Sequence, residues 1–220
     1  MSFPNATYER LFGAEHPEEV VSGVFSDELD KLGLRAQVLA GWRLNTPRGR
    51  CFGRVRTLRL ETVETDDERI HLGLGFLASL SPDDVLVVEG SPDYAYFGEL
   101  MTRLSVQKRL AGAVIEGLTR DHFYTQTVEF PVFARGYSPR DIKGRGRVAE
   151  VDAPVTVGGM EVRSGDYVFG DIDALVVVPE SSVGPLRQGV RHALAEEASI
   201  KQMIAQGRTV EDILREVKAF

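Results

Sequence analysis

Arg120, Asp121 and Glu99 are the residues of this chain whose types and spacing can do chemistry together. Arg120 offers a fixed fork of N–H donors suited to a carboxylate or an enolate oxygen. Asp121, directly after it, offers a hard oxygen ligand for Mg²⁺ or a similar ion. Glu99 lies in a Gly-Glu turn that opens a helix-like stretch, where the backbone N–H groups of Gly98, Glu99, Leu100 and Met101 are free to meet an anion. The segment 98–121, GELMTRLSVQKRLAGAVIEGLTRD, thus places a carboxylate, an arginine and a second carboxylate at strand–helix junctions. Outside such a setting Arg120-Asp121 reads as a structural ion pair, and Glu99 as an acid complementing a helix dipole.

Other polar residues carry less. His122 follows Asp121, but adjacent side chains seldom point the same way, which suits it to a rim position better than to a metal. Asp171 and Asp173 share one face by period two and read as turn residues or, alternatively, as lining the site, and Glu196 and Glu197 read as a solvated helix face. His16, His71 and His192 have no partner visible in the sequence. Arg135, Arg140, Lys143, Arg145 and Arg147 form a local basic cluster in a chain of net charge −7. Its plain reading is a solvated loop. The acidic balance argues against nucleic acid and anionic membranes as partners. Cys51 is the single cysteine, so no intrachain disulfide forms, which fits a reducing cytoplasm. The N-terminus lacks the apolar core of a signal peptide, and no stretch reaches the length of a membrane span.

The elements that must hold these residues are readable from periodicity. Residues 17–32 read as a helix with Pro17 in its first turn and Gly33 after it. Residues 51–63 read as a strand with Val55, Leu58, Leu60 and Val63 apolar, 67–79 as a helix, and 85–90 as a short buried strand. A helix over 98–110 and a strand over 113–116 follow. The alternation predicts an α/β core. After Asp121 the texture becomes mainly β, with turns at Gly158-Gly159 and Ser164-Gly165-Asp166. From Ser182 to Phe220 the pattern is helical, with Leu186, Val190, Ala193, Leu194 and Ala198 at helical spacing. Thr209 is placed to cap a last helix over 210–217, with Asp212 three residues on. The expected division is one domain over 1–180 and a C-terminal helical tail over 181–220, a candidate oligomer contact.

Glu99, twenty intervening residues and Arg120-Asp121, preceded by Gly98, resemble the signature of the RraA-like family. That family groups RraA, the regulator of ribonuclease activity, with class II pyruvate aldolases such as 4-hydroxy-4-methyl-2-oxoglutarate aldolase. FSDELDKLGL, FPVFARGYSPRD, APVTVGGMEVRSGDYVFGD and DIDALVVVP resemble further family segments, in the family's order, over roughly residues 20–180. There are departures. Tyr124 stands where an acidic residue is frequent, Ala174 replaces a glycine, and GLTRD replaces Gly-Ala-Val-Arg-Asp.

The resemblance implies a swivelling β/β/α three-layer sandwich, assembled as a homotrimer or homohexamer with sites between subunits. It implies a lyase dependent on Mg²⁺ or Mn²⁺, which releases pyruvate from a 4-hydroxy-2-oxo acid and decarboxylates oxaloacetate. Asp121 would hold the metal and Arg120 the pyruvyl group. Gly98–Met101 would cradle the carboxylate, and a metal-bound water, oriented by Glu99 or another carboxylate, would take the C4 hydroxyl proton. A carboxylate of a neighbouring subunit's C-terminal region approaches the metal in the aldolases. Tyr124, with Tyr94 and Tyr96, suggests an aromatic rim and a substrate other than the branched dicarboxylic keto acids. The alternative is a non-catalytic regulator that binds a ribonuclease. A methyltransferase is disfavoured, because no glycine-rich strand-turn-helix loop for an S-adenosyl cofactor is present.

Overall fold

In the computed structural model the described residues are 3–13, 20–35, 37–64 and 70–217. Helix α1 (Ala6–Phe12) is capped by the Asn5 side chain, which accepts from Tyr8 N–H, and is followed by α2 (Ser22–Lys31). The strands β1 (Val38–Leu39), β2 (Arg43–Leu44) and β3 (Cys51–Thr62) come next. Then α3 (Ile70–Ser79), β4 (Asp84–Glu89), β5 (Ala95–Phe97), α4 (Glu99–Gln107), β6 (Gly112–Thr119) and α5 (His122–Thr125) alternate. The β-rich half holds β7 (Val132–Tyr137), β8 (Gly146–Val151), β9 (Val155–Val157), β10 (Met160–Val162), β11 (Tyr167–Gly170) and β12 (Leu175–Val178). The chain ends in α6 (Val183–Ala205) and α7 (Val210–Glu216).

Among the described residues ten strands join one sheet, in the order β1-β12-β11-β3-β4-β6-β7-β2, with β5 beside β6 and β8 beside β3. The centre is parallel: β3 with β4, β4 with β6, and β6 with both β5 and β7. Parallel strands need crossovers, which α3, α4 and α5 supply. Buried on both faces, these strands read as continuous apolar runs, such as Val85–Val88. The helix side packs Leu58, Phe76, Leu80, Phe97 and Phe130. The other face is covered by the β9–β10 hairpin through Val155, Val157 and Val162. This is the expected α/β, three-layer arrangement.

A second core lies under the terminal helices. Leu186, Val190 and Leu194 of α6 pack with Val24, Phe25 and Leu29 of α2 and with Tyr8 and Phe12 of α1. Phe25 stacks on Phe169 with centroids 4.7 Å apart. Full burial of such a side chain contributes roughly 1.5–3 kcal/mol, so the first half of the tail is part of the core. Ile204, Val210 and Leu214 beyond it stay exposed.

Several sequence expectations shift. Helix α4 stops at Gln107, not 110, because Arg109 takes a left-handed conformation at φ 61°. The strand expected over 113–116 runs to Thr119. Helix α2 begins at Ser22 among the described residues. Pro17, His16 and 67–69 lie outside them, as does the His71 side chain. The Thr209 cap is present, accepting from Asp212 N–H at 3.2 Å.

Candidate active site

Two chain crossings meet where β5 and β6 end. Arg120 follows β6, and its N–H donates to Phe97 O at 2.9 Å. Asp121 then adopts a left-handed conformation, φ 58° and ψ 35°. Such a backbone costs roughly 1–3 kcal/mol in most residues, and aspartate is among those that tolerate it best. The turn sends the Asp121 side chain back across the gap. There Oδ2 accepts the Glu99 N–H at 2.9 Å, at the start of α4.

Gly98 makes that approach possible. A Cβ there would lie 2.4 Å from Asp121 Oδ2 and 2.8 Å from Arg120 Cγ. The first hydrogen bond within α4 runs from Thr102 N–H to Gly98 O at 2.9 Å. The Leu100 and Met101 amides precede it and have no partner one turn back. The Leu100 side chain is 71% exposed, whereas Met101 packs against the core. The Glu99 carboxylate is held by Arg103, whose Nε lies 2.8 Å from Oε1. The Arg103 guanidinium in turn lies 4.3 Å from the centroid of the Tyr124 ring.

Arg120 is held on two edges. Its Nη1 lies 3.1 Å from Asp141 Oδ2, and its Nε lies 3.6 Å from Asp121 Oδ2. Arg120 and Asp121 open into a cavity of about 310 Å³, completed by His122, Tyr137, Ser138 and Pro139. The His122 and Tyr137 rings lie 4.3 Å apart. His122 Nδ1 is buried without a hydrogen-bond partner among the described residues. Burial pushes the Tyr137 hydroxyl up, partly countered by Arg43, whose guanidinium lies 5.9 Å from the ring centroid.

The structure brings Gly98, Glu99, Arg120 and Asp121 together. Asp141 and Tyr137 join them and were not singled out from the sequence. The signal was at hand, since both stand in FPVFARGYSPRD.

Two expected rim residues are corrected. Tyr94 is 1% exposed in the core, and the Tyr96 hydroxyl is buried near Gly73 of α3, without a hydrogen-bond partner among the described residues. Tyr94, just before β5, and Tyr96 within it both pack into the helix-side core, and the aromatic wall is made by His122 and Tyr137 instead.

Asp171 is a turn residue, accepting from Ser22, Asp173 and Ala174 N–H groups. Burial and the nearby Asp27 raise the Glu197 carboxyl, whose Oε2 lies 3.6 Å from Lys201 Nζ on the same helix. The basic cluster resolves in part into pairs, Arg135 with Glu116 and Arg147 with Glu61. The Cys51 thiol is pushed by burial to about 12, which removes it as a nucleophile at neutral pH.

One oxygen of Asp121, Oδ2, takes the Glu99 amide; the other, Oδ1, has no protein donor among the described residues. Among the described residues no group of three or more His, Cys, Asp or Glu side chains converges to form a closed metal cage. A single carboxylate open to a cavity fits an ion such as Mg²⁺ or Mn²⁺, which keeps several waters and is held by one or two carboxylates plus substrate oxygens. Among the described residues no helix is long and apolar enough to cross a membrane.

The chain is 33% identical over 139 residues to the 4-hydroxy-4-methyl-2-oxoglutarate aldolase of Thermus thermophilus, covering 62% of this chain and 80% of that one. It is 26% identical over 195 residues to protein DlpA of Legionella pneumophila, covering 86% of this chain and 31% of DlpA. The chain thus spans less than two thirds of the length of several curated relatives that it matches. Among solved structures, Streptomyces coelicolor RraAS2, described as an unusual member of the RNase ES inhibitor RraA family, superposes with a TM-score of 0.73 at 28% identity. That match covers 90% of this chain and 98% of RraAS2. The model of the RraA-like family, described as Aldolase/RraA, matches residues 23–177, and the chain belongs to that family.

Proposed function

We propose that the chain is a divalent-metal-dependent lyase that cleaves a 4-hydroxy-2-oxo acid to pyruvate and a carbonyl product, with oxaloacetate decarboxylation as a side activity. The observation that carries this reading is the junction of Asp121, Arg120 and the α4 N-terminus at one open cavity. The aldolase name of the Thermus relative supports it.

Asp121 would hold the Mg²⁺ or Mn²⁺, which when bound supplies positive charge to offset the negative charge arising at the 2-oxo oxygen. Arg120 grips the pyruvyl carboxylate or C2 oxygen with the donors that its two aspartates leave free. The Leu100 and Met101 amides, at the positive end of α4, receive the carboxylate. Removal of the C4 hydroxyl proton, by Glu99 through a water, lets the C3–C4 bond break. Its electron pair passes into the enolate of pyruvate, and C3 then takes a proton. In oxaloacetate the same bond cleavage releases CO₂.

His122, Tyr137 and Pro139 wall the far side of the cavity. This wall suits a flat or apolar substituent beyond C4 better than a branched dicarboxylate. Phe123 is 89% exposed and Leu100 71% exposed beside the site. Apolar surface of that kind next to the cavity supports a homotrimer or homohexamer in which a neighbour covers it, with the exposed end of the helical tail as a further contact.

The test is pyruvate release, coupled to lactate dehydrogenase, from oxaloacetate and a panel of 4-hydroxy-2-oxo acids with aliphatic, aromatic and carboxylated C4 groups. Turnover that needs Mg²⁺ or Mn²⁺ supports the lyase. No turnover from a folded oligomer with either metal removes it. The second reading, a non-catalytic regulator of a ribonuclease, is favoured by the near full-length match to RraAS2. It would then be tested by binding to and inhibition of a ribonuclease.

A further inference from the structure

We propose that Asp141 is the positioning residue of the site, fixing the Arg120 guanidinium so that its remaining donors face the cavity. This rests on the lyase reading. Asp141 lies 21 residues beyond Arg120 in sequence, yet its Oδ2 is 3.1 Å from Arg120 Nη1. Its backbone is anchored from three directions. Asp141 bridges Ala95 in parallel fashion, and the Ala95 N–H donates to Arg140 O at 2.8 Å. Arg145 Nη1 donates to Asp141 O at 3.2 Å, and the following Ile142 is buried. The carboxylate is therefore presented by a fixed backbone.

Asp121 touches the same guanidinium on its Nε edge at 3.6 Å. Two carboxylates thus bracket Arg120 and leave its Nη2 group without a protein contact among the described residues. A long arginine side chain has many rotamers, and holding it in one lowers the cost of gripping substrate. Stability is a poor explanation for the pair. The Asp141 side chain is 45% exposed and that of Arg120 33% exposed, and ion pairs at such exposure contribute little to folding.

The experiment compares wild type, Asp141→Asn, Arg120→Lys and the double variant for Mg²⁺-dependent pyruvate release, with a crystal structure of Asp141→Asn. The expected loss in kcat/KM for Asp141→Asn is on the order of tenfold to hundredfold, at an unchanged unfolding midpoint. In the Arg120→Lys background the same change should cost less than about threefold, because there is no fork left to orient. In the Asp141→Asn crystal Arg120 should leave its position or occupy several. Equal losses in both backgrounds, or an Arg120 unmoved in the Asp141→Asn crystal, would overturn the proposal. If wild type releases no pyruvate the lyase reading falls, while the position of Arg120 in that crystal still decides the role of Asp141.

Discussion

Two arginine–carboxylate clusters sit on neighbouring strands, and they differ in what they leave unoccupied. Arg135 of β7 meets Glu116 of β6 with both edges matched, Nε to Oε1 at 2.9 Å and Nη2 to Oε2 at 3.1 Å. Its face lies 4.0 Å from the Trp42 ring centroid, and Glu116 also accepts the Gly158 N–H at 2.5 Å. The cluster is closed: it ties the β9–β10 hairpin to the sheet. Arg120 meets two aspartates through one atom each, at 3.1 and 3.6 Å, on the rim of a cavity. Both clusters pair an arginine with carboxylates. A bidentate, stacked arginine is a staple, whereas an arginine held by its edges keeps donors for a ligand.

The largest effect that would sharpen this contrast is Arg120→Ala. Loss of one preorganised donor to developing charge costs on the order of 10²–10³-fold in rate, so pyruvate release should fall by that much while the unfolding midpoint stays within about 2 °C of wild type. Next comes Gly98→Ala, whose methyl would displace Asp121 and Arg120. Overpacking of this kind costs about 1–3 kcal/mol, and both turnover and the denaturation midpoint should drop. Arg135→Ala should do the reverse of Arg120→Ala. Chemical denaturation should show a loss of about 1–2 kcal/mol, because Glu116 is left without its partner, while pyruvate release stays near wild type. An Arg135 variant that kept its stability and lost its activity would break the comparison.

The smallest effect concerns a third, closed pair. Arg56 binds Asp152 through two hydrogen bonds, at 2.7 and 2.6 Å, and holds its carboxyl below the usual range. A depressed carboxyl stabilises the fold fully above the ordinary aspartate value near ~3.9. That contribution disappears as pH falls through the lower folded value. Asp152→Asn should therefore flatten the acid limb of the stability curve, measured as unfolding midpoint from about pH 2 to 5, with turnover at neutral pH unchanged.

The elements that build the site were legible in the sequence because their periods are plain. The apolar run 85–88 and the helix after Gly98 have the lengths and endings that α/β units need, and Gly98, Glu99, Arg120 and Asp121 stood in one motif. What the sequence hid came from strand register. Thr119 pairs with Tyr137 across β6 and β7, and Ser138 N–H donates to Thr119 O at 2.9 Å. That register carries Tyr137 and Asp141 to Arg120, and no local pattern announces it. Tyr94 and Tyr96 stand near the Gly-Glu turn in sequence but not near the cavity in space, because both side chains pack into the helix-side core. Helix α1 went unread because it is only seven residues long and stands on its aromatic anchors, Tyr8 and Phe12, more than on periodicity.

The most direct test of the open cluster is pyruvate release from oxaloacetate by wild type and Asp121→Asn, with Mg²⁺, after EDTA, and after Mg²⁺ is restored. The expected result is turnover by wild type that EDTA stops and Mg²⁺ restores, and none above background from Asp121→Asn at any Mg²⁺ concentration. Turnover that survives EDTA, or that Asp121→Asn retains, would contradict it.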